Sequence, residues 1–175
     1  MKKLKIILLV LSVALISCKS EKTLEQYFIV NEDNKDIVII DVPVNIVKNV
    51  ADFSKEEQKA INSVQKLNVL YLKKATDNKT EFEKQKHNLQ TILKNKKYQT
   101  LSKVKDGKTN IDIKFIGTDQ AINEVVLFAT DSDKGFFLAR ILGDNMNPEN
   151  MQMLLKSVNE MDLDLSQIKK FNLNL

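Results

Sequence analysis

The sequence predicts an α+β domain: an antiparallel sheet ending in a four-strand meander, with helices packed mainly on one face. Three observations carry this. Two boxes of the type Ser/Thr-x-x-Glu, Ser54 to Glu57 and Thr80 to Glu83, each stand before a segment with helical apolar spacing. The run IVIIDV at 37–42 is β-branched and is bounded by a polar turn and by Pro43. From Tyr98 onwards, apolar runs alternate with short segments rich in Asp, Gly, Ser and Lys, the pattern of strands joined by turns.

The elements follow in order. Residues 20–26 read as a polar tether and Tyr27-Phe28-Ile29-Val30 as a first extended piece. The stretch NEDNKD at 31–36 is a turn, and 37–42 a strand. After Pro43 the period changes: Ile46, Val50 and Phe53 fall at i, i+4, i+7 with Val47 beside them, a short helix with one buried stripe. Ser54 opens a helix to about Val64 that buries Ala60, Ile61 and Val64, and LNVLYL at 67–72 is the next strand. Thr80 opens a helix to about Lys94 with Phe82, Leu89, Ile92 and Leu93 on one face and Lys, Glu and Gln on the other.

The meander is then read as 98–104, 110–116, 122–129 and 136–142. Asp106-Gly107 is a hairpin signal between the first two. In NIDIKFI, Ile111, Ile113 and Phe115 alternate with Asp112 and Lys114. Gly143 ends the last strand. Asn147 caps a closing helix with Pro148 in its first turn and a stripe of Met151, Leu154, Leu155 and Val158; residues 163–171 form one more short helix.

The front of the chain is an address, not part of the fold. Lys2, Lys3 and Lys5 precede an apolar run, 6–16, interrupted by Ser12. A membrane-spanning helix needs roughly 20 apolar residues, and this run has signal-peptide length. It ends in Leu15-Ile16-Ser17-Cys18, which resembles a bacterial lipobox. The resemblance implies a signal peptide over 1–17, diacylglyceryl transfer to the Cys18 thiol and acylation of the new N-terminus. Residues 18–26 are then the lipidated N-terminus and tether, and 27–175 one α+β domain. Two or more acyl chains give stable anchoring, since each buried methylene contributes about 0.8 kcal/mol. Lys19 does not supply the aspartate that retains some lipoproteins at the inner membrane, so the outer membrane is expected. The mixed charge of Lys19-Ser20-Glu21-Lys22 favours a periplasm-facing over a surface-exposed protein.

Composition removes several function classes. The formal net charge of +4 belongs largely to the leader, and loss of its three lysines takes it to +1. A nearly neutral domain does not match the clustered basic surface of nucleic-acid-binding proteins. Arg140 is the single Arg, so bidentate clamps on phosphate are scarce. With Cys18 lipidated no thiol remains for a disulfide, a thiolate metal site or a Cys nucleophile. Trp is absent and Gly and Pro are few.

No residue reads as catalytic, cofactor-binding or metal-ligating; Cys18 is the one assigned site, for lipidation. His87, the only His, has Glu83, Lys84, Gln90 and Thr91 as helical neighbours and reads as a surface residue. Asp131-Ser132-Asp133-Lys134-Gly135 starts like a calcium loop, but positions five, six and twelve are Gly135, Phe136 and Leu142, so it reads as a hairpin turn. Asp162, Asp164 and Ser166 read as caps of the final short helix. The strands INEVVLFA and FFLARIL are apolar on both sides: Val125, Leu127 and Ala129 alternate with Ile122, Val126 and Phe128, and Phe137, Ala139 and Ile141 with Phe136, Leu138 and Leu142. A half-exposed strand would be polar on one side. Either the chain covers both faces, which is the favoured reading, or one face is a ligand or partner surface.

Residues 82–171 resemble a family of small lipoproteins from Bacteroidetes-type bacteria, the domain of unknown function 4252. The segments carrying this are LKNKKYQTLSKVKDGKTNIDIKF, EVVLFATDSDKGFFLARILGD and NMQMLLKSVNEM, behind the lipobox leader. The resemblance implies an envelope address and supplies no functional residues.

The function expected is that of a lipid-anchored envelope protein acting as a non-enzymatic binding or interaction module. Its partners are the membrane, through the anchor, and an envelope protein, with no nucleic acid and no cofactor. A small envelope hydrolase using Asp/Glu acid–base chemistry, or a partner subunit of an envelope-stress regulator, are the alternatives. A deep polar cleft with convergent carboxylates favours the enzyme; an apolar groove without them favours binding.

Overall fold

The computed structural model describes residues 22–42, 49–118, 120–146 and 149. They form three α-helices and one six-stranded antiparallel sheet: α1 (Leu24–Val30), β1 (Val38–Val42), α2 (Lys55–Ser63), β2 (Val64–Lys73), α3 (Lys79–Leu93), β3 (Gln99–Asp106), β4 (Thr109–Thr118), β5 (Ala121–Asp131) and β6 (Gly135–Met146). The strand order is β1-β2-β6-β5-β4-β3, so the last four strands are successive neighbours and β2 joins them through β6. Cys18, the closing-helix stripe Met151, Leu154, Leu155 and Val158, the final-helix residues Asp162, Asp164 and Ser166, and Ile46 and Val47 lie outside the described residues.

The first element departs from expectation. Tyr27 to Val30 are helical, not extended. The reason is a capping box that the sequence carries as Thr23-Leu24-Glu25-Gln26: the Thr23 hydroxyl accepts from the Gln26 N–H, and the Gln26 side chain accepts from the Thr23 N–H, both at 3.2 Å. Leu24 and Tyr27, three apart, then fall on one face and are buried. Leu24–Gln26, read as tether, are part of the packed chain.

The Ser54 box forms with both its hydrogen bonds, and α2 buries Ala60 and Ile61. Its continuation is not helical: Val64 is already the first residue of β2. Ahead of α2, Val50–Asp52 form one 3-10 turn. α3 starts earlier than the Thr80 box proposes. Asn78 is the cap residue, and its side chain bonds the preceding link instead, accepting from the Ala75 N–H and donating to the Lys73 carbonyl. Thr80 thus sits inside the first turn. Phe82, Leu89, Ile92 and Leu93 are buried, and Gln85 with them.

Two strand readings also change. β6 does not stop at Gly143 but runs to Met146. Gly143 is needed for close approach: a Cβ there would collide with the Ser63 carbonyl oxygen and the Met146 side chain. Ile122 does not share the face of Val126 and Phe128. A bulge between Ile122 and Glu124 shifts the register, and Ile122 packs with Phe115, Val125 and Met146.

The core lies mainly on one face of the sheet. α1 supplies Leu24 and Tyr27, and α3 supplies Phe82, Leu89, Ile92 and Leu93, against Leu70 and Leu72 of β2, Val126 and Phe128 of β5 and Phe136 and Leu138 of β6. The Phe136 ring lies 5.7 Å from that of Phe82 and 5.9 Å from that of Phe128. Val126, Phe128 and Phe136 are therefore monomer core. The opposite face carries Phe115, Ile122, Val125 and Met146, with Val64, Ile113 and Ile141 half-buried against them. The turn before β6 fits closely as well. Gly135 has φ +136°, and a Cβ there would overlap the Leu72 carbonyl oxygen, while the Lys74 N–H donates to the Lys134 carbonyl at 3.0 Å.

Candidate functional site

A polar row crosses the core face of the sheet where β1, β2 and β6 run side by side. The register makes Asp41 the direct neighbour of Asn68, and Asn68 that of Arg140. Asn68 donates to Asp41, and Lys66 pairs with Asp41 at 3.1 Å. One strand further, Arg140 Nη2 meets Glu124 Oε2 at 3.0 Å, with side chains 14% and 8% exposed. The Tyr98 hydroxyl donates to the other Glu124 oxygen at 3.4 Å. Burial, and then the Glu124 charge, push the Tyr98 phenol well above its ordinary value of 10.0.

The Lys66–Asp41 end of this row is solvent-exposed, and only the Arg140–Glu124 end is buried, which is expensive. A charge taken out of water needs both a counter-charge and satisfied hydrogen bonds. Glu124 has both. Arg140 does not: its Nε is buried and has no hydrogen-bond partner among the described residues. An orphaned buried donor costs about 1–3 kcal/mol.

Above the row lies a groove of about 830 Å³, within the size range of ligand sites. Its floor is Lys66, Asn68, Arg140 and Leu142, with Asp41, Ile39 and Val38 of β1 on one side. The other side is α1 and the turn after it: Glu25, Phe28, Ile29 and Glu32. Ile29 is 66% exposed and the adjoining Val30 80%, so this wall presents apolar surface to solvent. Both charged floor residues are already paired, whereas Glu25 and Glu32 on the rim have no ion pair among the described residues.

What holds α1 over the groove is a second buried network. The Tyr27 hydroxyl donates to Gln85 Oε1 at 2.7 Å, and Gln85 Nε2 donates to Asn31 at 2.8 Å and to Glu81 at 2.6 Å. Asn34 donates to the same Glu81 oxygen at 3.1 Å. The hydrogen bond from Gln85, aided by Lys84, holds the Glu81 carboxyl below its ordinary 4.5; burial, then the Glu81 charge, push the Tyr27 phenol up.

The other residues weighed from the sequence do not join this site. His87 is exposed on α3. Asp131 organises its turn, accepting from the Asp133 and Lys134 N–H groups at 2.9 Å and from the Thr109 hydroxyl, while Asp133 pairs with Lys108. Among the described residues no three His, Cys, Asp or Glu side chains converge on a metal-sized site, and no helix is long and apolar enough to cross a membrane. The groove residues were not singled out from the sequence. The signal for the buried pair beside them was one charge in each mainly apolar strand, Glu124 in INEVVLFA and Arg140 in FFLARIL, opposite in sign, which the register puts on the core-facing side of both.

No match was found among the curated proteins, nor among the solved structures. The family model described as Domain of unknown function (DUF4252) matches residues 27–154, a span that takes in all six strands, α2 and α3, and the chain therefore belongs to that family.

Proposed function

We propose that this is a lipid-anchored protein of the cell envelope, held by acylated Cys18 on the periplasmic side of the outer membrane, and that it works by binding rather than by catalysis. The anchor reading rests on the Leu15-Ile16-Ser17-Cys18 ending of a short leader. The binding reading rests on one observation, the groove between α1 and the sheet. Phe28, Ile29, Ile39 and Leu142 line it with apolar surface, and its carboxylates, Glu25, Glu32 and Asp41, stand on separate elements, Asp41 paired with Lys66. If Cys18 is the anchor, four residues separate it from the Thr23 cap, a reach of at most about 3.3–3.6 Å each, so the groove works close to the membrane.

A photoreactive side chain placed at Ile29 in cells should give a crosslinked adduct, and the same group at His87 should not. No adduct from position 29 would overturn the binding reading. A fatty-acid analogue should label the wild type and leave Cys18→Ser unlabelled; equal labelling would overturn the anchor.

A further inference from the structure

We infer that the β3 edge of the sheet is the side on which the protein rests on an anionic lipid surface, the leaflet that holds its own anchor. This rests on the anchor reading above and goes beyond it, since an acylated Cys18 alone does not select which side of the domain meets the lipid. The first observation is a segregation of charge. Residues 94–108 hold six Lys against one Asp, a net +5, so the rest of the chain behind the leader carries −4 in total. The fold lays these lysines out along one border. Lys94, Lys96 and Lys97 follow α3, and Lys103, Lys105 and Lys108 stand on β3 and its hairpin turn, at one end of the strand order. All six are exposed, and Lys94, Lys96 and Lys105 have no ion pair among the described residues. Leu101 and Val104, 45% and 48% exposed, stand among them.

The second observation is where the tether enters the fold. Leu24 and Tyr98 share the core cluster, and a hydrogen bond joins the Leu24 backbone to the Tyr98 hydroxyl. The chain therefore leaves the fold toward Cys18 beside the residue that follows Lys96 and Lys97. Four residues separate Cys18 from the Thr23 cap, so an acylated Cys18 keeps that cap within about 18 Å of the lipid. The chemistry of the border fits such a surface. Ammonium groups are point charges suited to a fluid layer of headgroups, whereas an ordered phosphate site favours the bidentate fork of Arg, which residues 94–108 lack. Each Lys brought to an anionic leaflet contributes about fivefold in affinity. Protection of an open sheet edge does not account for the charge. β1, the other edge strand, has no Lys, and Lys94, Lys96 and Lys97 precede β3. With β3 against the lipid, β1 and the groove beside it face away from the membrane.

The test is sedimentation of the unacylated Cys18→Ser chain without its leader, which keeps every described residue, with vesicles of phosphatidylcholine and with the same vesicles carrying phosphatidylglycerol. At low salt the chain should sediment with the anionic vesicles and not with the neutral ones, and the binding should fall as salt is raised. Lys94→Gln/Lys96→Gln/Lys105→Gln should lower the affinity about a hundredfold, from about fivefold for each Lys. Lys55→Gln/Lys59→Gln/Lys79→Gln removes the same charge from α2 and the start of α3, away from the border, and should change the affinity by less than about threefold. All six positions are exposed, so both variants should keep the wild-type unfolding midpoint. No binding to the anionic vesicles, equal binding to the neutral ones, or the same loss in both triple variants would each overturn the inference, and the first would leave the border to an acidic protein. These outcomes leave the anchor standing. Failure of the fatty-acid label at Cys18 would remove the anchor and this inference with it.

Discussion

The Arg140–Glu124 pair permits a sharp test, because theory separates breaking a buried pair from replacing it. The two side chains meet at 3.0 Å and are 14% and 8% exposed. Two unit charges about 4 Å apart interact by about 4 kcal/mol at an effective dielectric of about 20. Arg140→Met leaves Glu124 buried with only the Tyr98 hydroxyl, at 3.4 Å. The expected loss is about 3–5 kcal/mol, mostly the cost of an uncompensated buried carboxylate. For a domain of this size that lowers the unfolding midpoint by about 6–20 °C. Glu124→Gln, which keeps an acceptor for Tyr98, should also destabilise. The double variant removes both charges and should lie within about 1–2 kcal/mol of wild type, giving a coupling energy of at least about 2 kcal/mol.

The assay is thermal and urea denaturation of the soluble chain lacking the leader, by circular dichroism. Single effects that add to the double within about 0.5 kcal/mol would refute the argument.

Two further predictions concern the layers on either side of the groove. Phe128 is 3% exposed with the Phe136 ring 5.9 Å away, so Phe128→Ala should cost about 3–5 kcal/mol, whereas Val104→Ala, at a position 48% exposed on edge strand β3, should change stability by less than about 0.5 kcal/mol. An unmoved urea midpoint for Phe128→Ala would place that side chain outside the core. The Glu81 carboxyl is held below 4.5 by Gln85 and Lys84, so its contribution is present above that value and is lost as pH falls through it and below. Glu81→Gln should accordingly flatten the acid limb of the stability profile; an acid limb identical to that of the wild type would show that the Gln85 network does not favour the ionised form.

The sequence by itself determined the fold class, most strand positions, the Asp-Gly hairpin and the Ser54 cap, because each is written within a few neighbouring residues. The Ser54 box bonds residues three apart, and in NIDIKFI an alternation of two places the side chains. The same kind of local signal stands at α1, where Thr23 and Gln26 form a box ahead of residues that read as extended. Burial of Leu24 and Tyr27 against α3 and the sheet is what decides it, and that contact spans residues far apart in the chain, as the Tyr27–Gln85 bond does at a separation of 58. The groove is wholly of this second kind. Asp41 and Asn68 stand 27 residues apart and Glu124 and Arg140 16 apart, and only strand register brings them to one row. A slip of one residue would turn each to the opposite face of the sheet. Glu124 itself takes the core face one residue past a bulge that the alternation of INEVVLFA does not announce. Which charges are paired, which are free on the rim and which donor is left without a partner are consequences of that register, and so belong to the tertiary structure alone.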